Sequence, residues 1–315
     1  MHQPRIGILG TGAIGGFYGL MLAKAAQEVH FLLRSDYEQV AKHGLRVNSV
    51  TQGQLQLSPP IYRDAADMPP CDWIFIATKT TSNPDLVPAI LKVAAPEAKI
   101  VLMQNGLGVE DALRPLLPGN LHLLGGLCFI CAHRGEQGII EHEAMGGINL
   151  AYHSGPASDP AQQLAIAQQA ANWFKSAGLD ANAMQDLATA RWQKLVWNAP
   201  YNGLSVVLNS GTEALMQHPD TLALIQDIMQ EVTGAARACG HPLPEDLVGK
   251  MLKNTQRMSD YLPSMYHDFA LKRPMELEAI YERALQQAHQ VGFAMPKTQM
   301  LLHSLKFLEQ RSLSH

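Results

Sequence analysis

Only four cysteines, Cys71, Cys128, Cys131 and Cys239, occur among the 315 residues. They are too few and too scattered to form a disulfide scaffold. No apolar run reaches the roughly 18–20 residues of a membrane span. Residues 1–5 lead straight into Ile6-Gly7-Ile8-Leu9, without the apolar core of a signal peptide. Positive charge is also scarce. With 24 Lys+Arg against 28 Asp+Glu the formal charge is −4, which argues against a nucleic-acid binder carrying a basic stripe. The remaining balance, 47% hydrophobic and 17% charged, excludes a disordered chain. At roughly 100–200 residues per domain, the length fits two domains. The expectation is a soluble, cytoplasmic protein with a small-molecule partner, binding neither nucleic acid nor membrane.

Two local clusters resemble metal or redox motifs. Cys128 and Cys131 form a C-x-x-C inside Leu123-Leu124-Gly125-Gly126-Leu127-Cys128-Phe129-Ile130-Cys131, which reads as a buried strand. Positions three apart on a strand face opposite ways, so the structural reading is preferred over redox or metal chemistry. The same alternation separates His142 from Glu141 and Glu143, and no further Cys or His spacing completes a zinc site. No metal is expected.

The first half of the chain alternates short apolar runs with helical patterns. Strands are expected at 5–9, 30–33, 73–77 and 99–103, and helices at 14–26 and 84–93. That alternation implies βαβ units and a parallel sheet. From 121 to 152 closely spaced strands with glycine turns suggest an antiparallel or mixed extension. A helix near 160–175 follows, then a short polar stretch at 178–185. From Leu187 onward the signals are almost entirely helical. The fold class is therefore α/β, with a dinucleotide-binding domain over 1–183 and an all-helical domain over 184–315. In the last helix Met300, Leu301, Leu302, Leu305 and Leu308 suit either the core or the subunit interface of a homodimer.

Gly10-Thr11-Gly12-Ala13-Ile14-Gly15 is a G-x-G-x-x-G that directly follows an apolar strand and opens a helix with Ile14, Tyr18, Met21 and Leu22. That context is the one the dinucleotide fingerprint requires. Gly10 permits the tight turn, Gly12 lets backbone approach a pyrophosphate, and Gly15 lets helix and sheet pack closely. The N–H groups and positive end of the helix hold the anion. At the end of the second strand stands Arg34-Ser35 rather than an acid. A guanidinium suits a 2′-phosphate, which favours NADPH. Asp36 is close enough to act as a ribose acid if the strand ends later.

A second constellation runs through Trp192-Gln193-Lys194-Leu195-Val196-Trp197-Asn198-Ala199-Pro200-Tyr201-Asn202. On a helix, Lys194, Asn198 and Asn202 span only about 80° of arc, one narrow polar stripe. Asparagine is a poor helix former and Pro200 should kink the helix, so the segment departs from local preference, as functional sites often do. One ammonium and two amides could orient a carbonyl and a carboxylate and donate a proton. A solvated helix face is the other reading.

Taken with Lys79 in Ala77-Thr78-Lys79, with Gln104-Asn105-Gly106-Leu107-Gly108 and with Ser264-Met265, Asp268, Arg273-Pro274 and Glu276, these motifs resemble the ketopantoate reductase family, in order and over nearly the whole chain. The resemblance implies a Rossmann domain, a helical C-terminal domain and an NADPH site in the cleft between them. It makes Lys194 the general acid that protonates the carbonyl oxygen of a 2-oxo acid. Asn198, Asn202 and Ser264 would hold substrate, Asn105 would sit where cofactor and substrate meet, and Glu276 would lie at that junction. Arg34 and Lys79 would serve the cofactor beside Gly10, Thr11, Gly12, Ala13, Ile14 and Gly15. A free lysine, with a pKa of about 10.4, is charged at neutral pH and able to stabilise a developing alkoxide.

The sequence also departs from the family pattern. Glu276-Leu277-Glu278 and Tyr281-Glu282 replace the common Glu-Ile-Asp and Asn-Gly. Pro263 stands where a serine is common, Tyr261 where an asparagine occurs, and Thr212 near a substrate-side asparagine position. These changes bear on which 2-oxo acid is used. Alternatives are a related NADP-dependent 2-oxo-acid or 3-hydroxyacid dehydrogenase, or an NADP-binding sensor without chemistry.

Overall fold

The computed structural model describes residues 3–135 and 138–313. The chain divides into two compact units, Met1–Gln104 with Val109–Leu187, and Asn105–Gly108 with Ala188–His315. The sequence reading makes a single cut at 183/184. In the structure the second unit also takes the four residues that follow Gln104.

The first unit is built on a ten-stranded sheet: β1 (Arg5–Leu9), β2 (Glu28–Leu32), β3 (Leu45–Ser49), β4 (Gly53–Leu57), β5 (Ile61–Tyr62), β6 (Cys71–Ile76), β7 (Ala94–Leu102), β8 (His122–Arg134), β9 (Ile139–Ser154) and β10 (Ala181–Met184). Its order is β4-β3-β9-β8-β7-β6-β1-β2-β5, with β10 on β9. From β5 to β8 every pairing is parallel. That block has the strand order of a doubly wound dinucleotide-binding sheet. The antiparallel β8–β9 pair then extends it, giving the mixed sheet expected from the glycine turns.

Around this sheet lie α1 (Ala13–Lys24), α2 (Tyr37–His43), α3 (Asn83–Val93), α4 (Val109–Leu113) and α5 (Pro160–Ser176). Helix α1 is buried from Gly15 to Leu22, and its residues there are apolar on every face, as in a helix enclosed by the fold. Helix α5 presents Ala167, Ala170, Ala171 and Phe174 at helical spacing. Asp159 caps it by accepting from Ala161 N at 3.3 Å. Ile6, Ile8, Phe17, Phe31, Phe75 and Phe174 are fully buried in the core.

Cys128 and Cys131 both lie on β8 as buried free thiols. Burial pushes the Cys131 thiol up to about 12. His142 is buried, with Nδ1 2.7 Å from Ser49 Oγ and Nε2 3.1 Å from the Ala144 carbonyl.

The second unit holds α6 (Leu187–Val207, from Ala188), α7 (Thr212–Gln217), α8 (Pro219–Ala238), α9 (Leu247–Gln256), α10 (Ser264–Ala270), α11 (Arg283–Gln290) and α12 (Pro296–Leu313), with a π-helical turn at Glu278–Glu282. Helix α8 buries Ile225, Ile228, Met229, Val232, Ala235 and Ala236, one face at helical spacing. In α12, Leu301, Leu302 and Leu305 belong to the core, whereas Met300 is exposed. Helix α6 stays helical through Pro200. No helix among the described residues is long and apolar enough to cross a membrane.

Candidate active site

The three glycines of the fingerprint serve different ends. Gly10 has φ +94°, and a Cβ there would come within 2.6 Å of Thr78 N. A Cβ at Gly15 would lie 2.2 Å from Gly10 O and 3.0 Å from Ala77 Cβ, so helix and sheet meet only because it has no side chain. At Gly12, by contrast, a Cβ would meet nothing within 4 Å. The fold itself needs no glycine at that position; the space beside the start of α1 is open. Gly12 is the N-cap of α1, whose first N–H groups have no side-chain cap. Open space at a free helix N-terminus fits a pyrophosphate. The Thr11 hydroxyl is turned to the protein and donates to the Leu32 carbonyl at 3.2 Å, tying the loop to β2. Ala13 and Ile14 form the first turn of α1.

Arg34 is exposed just beyond β2. Asp36, the alternative ribose acid, pairs with Arg134 of β8, whose Nη2 also lies 3.5 Å from Ser35 Oγ. Two amides organise the other loop. Gln104 donates to Thr78 O at 2.9 Å and to Asn83 Oδ1 at 2.6 Å, and Asn83 donates back to Gln104 Oε1 at 2.9 Å. This buried reciprocal pair fixes the Thr78–Lys79 backbone, and Lys79 precedes a short 3₁₀ turn at Thr80–Ser82. Asn83 and Arg134 lie outside every sequence motif, and each acts through a partner distant in the chain, so no local signal marks them.

The second unit gathers the residues of the polar stripe. Lys194 Nζ donates to Asn105 Oδ1 at 2.7 Å, so the lysine is held by the loop after Gln104. That loop is pinned from below. Leu107 N donates to Ala279 O at 2.8 Å, in the π-helical turn. Gly106, at φ +98°, packs so closely that a Cβ would fall 2.4 Å from the same oxygen. The widened turn thus supplies the carbonyl that sets the loop, in keeping with the frequent placement of such turns at functional sites.

Asn198 is 6% exposed, and its backbone carbonyl accepts a hydrogen bond from Asn202. Among the described residues its side-chain amide has no protein hydrogen-bond partner. Asn202 is used differently. Its Nδ2 donates to Asn198 O at 3.1 Å, and its Oδ1 accepts from Met265 N at 3.2 Å and, more weakly, from Ser264 Oγ at 3.5 Å. Helix α10 begins after Pro263 with no side-chain cap of its own, so Asn202 supplies the missing acceptor from another helix. Ser264 is thereby placed, half-buried, beside the stripe. Glu276 is buried at 5% exposure.

The departures from the family pattern have structural employment. Thr212 Oγ1 accepts from Tyr261 N, and Thr212 N donates to Tyr261 O, both at 3.0 Å. Tyr281 is fully buried and donates to Ala199 O at 2.8 Å. Glu278 is exposed and pairs with Arg283 at 2.7 Å. The Tyr261 ring lies 6.5 Å from Trp197, which stacks on Tyr201 at 4.7 Å.

Residues 6–155 match the family model described as ketopantoate reductase PanE/ApbA, and residues 186–309 match its C-terminal counterpart. The chain belongs to the ketopantoate reductase family. A 2-dehydropantoate 2-reductase of Nostoc sp. is 42% identical over 317 residues, covering 99% of this chain and 97% of the relative. Among solved structures, a 2-dehydropantoate 2-reductase from Geobacter metallireducens is 35% identical with a TM-score of 0.89, covering 96% of this chain and 99% of that one. The corresponding structure from Methylococcus capsulatus, also 35% identical, has a TM-score of 0.85 and covers 98% and 97%. Membership of the ketopantoate reductase family accounts for the pairing of a doubly wound unit with a helical one.

Proposed function

We propose that the chain reduces 2-dehydropantoate (ketopantoate) to pantoate with NADPH, a step of pantothenate biosynthesis. The observation that carries this reading is the Lys194 ammonium held 2.7 Å from Asn105 Oδ1, on the same stripe as the unpartnered amide of Asn198. The open space at Gly12 and the exposed Arg34 fit a phosphorylated dinucleotide. When bound, NADPH supplies the hydride. The chain supplies orientation and the proton. Lys194 stabilises charge developing on the 2-oxo oxygen and delivers its Nζ proton there. Asn105 fixes the direction of that ammonium. Asn198 offers both a donor and an acceptor to the substrate, and Ser264 a hydroxyl, with Asn202 holding Ser264 in place. Glu276 is assigned to a substrate hydroxyl, and Lys79 to the cofactor.

The departures support no second substrate, because Thr212, Tyr281 and Glu278 spend their polar atoms on the protein. Lys194→Ala tests the assignment. Turnover should fall by about 10²–10⁴-fold, the usual contribution of a positioned acid, with NADPH affinity held within about threefold. Retained turnover, or loss of NADPH binding, overturns the role. The four free thiols suit a reducing compartment, which supports the cytoplasm. Exposed Met300 and Phe307 on α12 support a homodimer, for which sedimentation at a two-chain mass is expected and a one-chain mass is contrary.

A further inference from the structure

The turn after β2 contains two acids and one cation in sequence, Arg34, Asp36 and Glu38. Read locally it is net negative, a poor seat for a 2′-phosphate. The structure changes that balance. Glu38 pairs with Arg63, whose guanidinium also lies 4.5 Å over the Tyr37 ring. Asp36 pairs with Arg134, which reaches it from the end of β8 and touches Ser35 as well. Each acid has its own guanidinium, and Arg34 is exposed with no partner among the described residues. The turn is left with one uncompensated positive charge.

We propose that Arg134 is a specificity-determining residue for the cofactor: by pairing with Asp36 it removes the carboxylate that would repel a 2′-phosphate and accept from a 2′-hydroxyl. The inference rests on the NADPH reading and goes beyond it. Arg34 supplies the attraction, and Arg134 withdraws the competing acid. An unpaired Asp36 would tilt the site toward the unphosphorylated ribose, since a carboxylate there bonds ribose hydroxyls. The side chains of Arg134 and Asp36 are only 34% and 19% exposed, so the pair is partly shielded from solvent.

The test uses the full chain and two adenosine probes, 2′,5′-ADP and 5′-ADP, measured by titration calorimetry at low ionic strength. The proteins are wild type, Arg134→Ala, Asp36→Ala and the double variant. Wild type should prefer 2′,5′-ADP. Arg134→Ala should weaken 2′,5′-ADP by about tenfold, the effect of one unscreened charge several ångströms away, and change 5′-ADP by less than about twofold. Asp36→Ala should bind 2′,5′-ADP at least as well as wild type, and adding it to Arg134→Ala should restore most of the loss. Equal weakening of both probes by Arg134→Ala, no weakening of either, weaker 2′,5′-ADP binding by Asp36→Ala, or a double variant no better than Arg134→Ala each overturns the inference. A wild type without preference overturns the NADPH reading itself. A wild-type preference left undiminished by Arg134→Ala overturns only the role of Arg134.

Discussion

Replacing Gly12 by alanine separates the space a ligand needs from the space the fold needs. The new methyl meets no protein atom within 4 Å, and the φ of −84° at this residue lies in the range of ordinary residues. Stability of the ligand-free protein should change by no more than about 0.5 kcal/mol, a Tm shift of roughly 1–2 °C for a chain of this size. Alanine at Gly15 is the contrast. Its Cβ would stand 2.2 Å from Gly10 O and 3.0 Å from Ile8 Cγ2, so backbone must move. Such overpacking costs about 1–3 kcal/mol or more and should lower Tm by roughly 2–12 °C. For NADP+ the order reverses in meaning. With the cofactor placed as proposed, a methyl at Gly12 should displace the pyrophosphate from the helix N-terminus. Losing two charge-assisted hydrogen bonds of about 1.5 kcal/mol each weakens binding by about 100-fold. Thermal unfolding without ligand, paired with calorimetric titration of NADP+, reads both effects. A Gly12→Ala protein that is stable and binds NADP+ as wild type refutes the placement, and one as unstable as Gly15→Ala refutes the open-space argument.

Three further outcomes follow from the helical unit and the titrating groups. Asn202→Ala removes the acceptor for Met265 N and the donor to Asn198 O and should cost about 1–3 kcal/mol in urea unfolding; unchanged stability would show that α10 has another cap. Burial lowers the pKa of His122 and His142 in the folded state, so the unfolded chain takes up protons first. Stability should be full above the ordinary imidazole value of about 6.5 and decline as pH falls through the folded-state values, with a smaller slope in His142→Gln; a slope unaltered by that substitution contradicts the assignment. Burial pushes the thiols of Cys71 and Cys131 up to about 12. A thiol reagent at neutral pH should therefore label partly exposed Cys239 first and these two only after unfolding, and early labelling of Cys131 would be contrary.

The parts of the fold that were legible are those whose cause is local. The strand, glycine turn and helix at 5–26 are contiguous, and their periodicity changes at Gly10. The Lys194 stripe follows from spacing alone. Other elements owe their state to distant partners. Ala181–Met184, too short to show a strand pattern of its own, forms β10 by pairing with the parallel edge of β9, in register from Ala181 with Ile148. Residues 45–62, to which the pattern assigns nothing, become β3, β4 and β5 through pairing with β9 and β2. Pro200, where a kink is expected, lies inside α6, which continues to Val207. In the site, Lys194 was readable but its partner Asn105, 89 residues away, was known only through family resemblance. Spacing places Asn202 on the polar stripe and the family resemblance makes it a substrate ligand; only the tertiary structure shows that its oxygen accepts from Met265 N at the start of α10.

The central claim is that this active site reduces ketopantoate with NADPH. The most direct measurement is nicotinamide oxidation by the purified protein, followed by absorbance, with ketopantoate, 2-oxoisovalerate and pyruvate, each with NADPH and NADH. Ketopantoate with NADPH should have the highest kcat/KM. Absence of ketopantoate turnover in protein that still binds NADPH would contradict it.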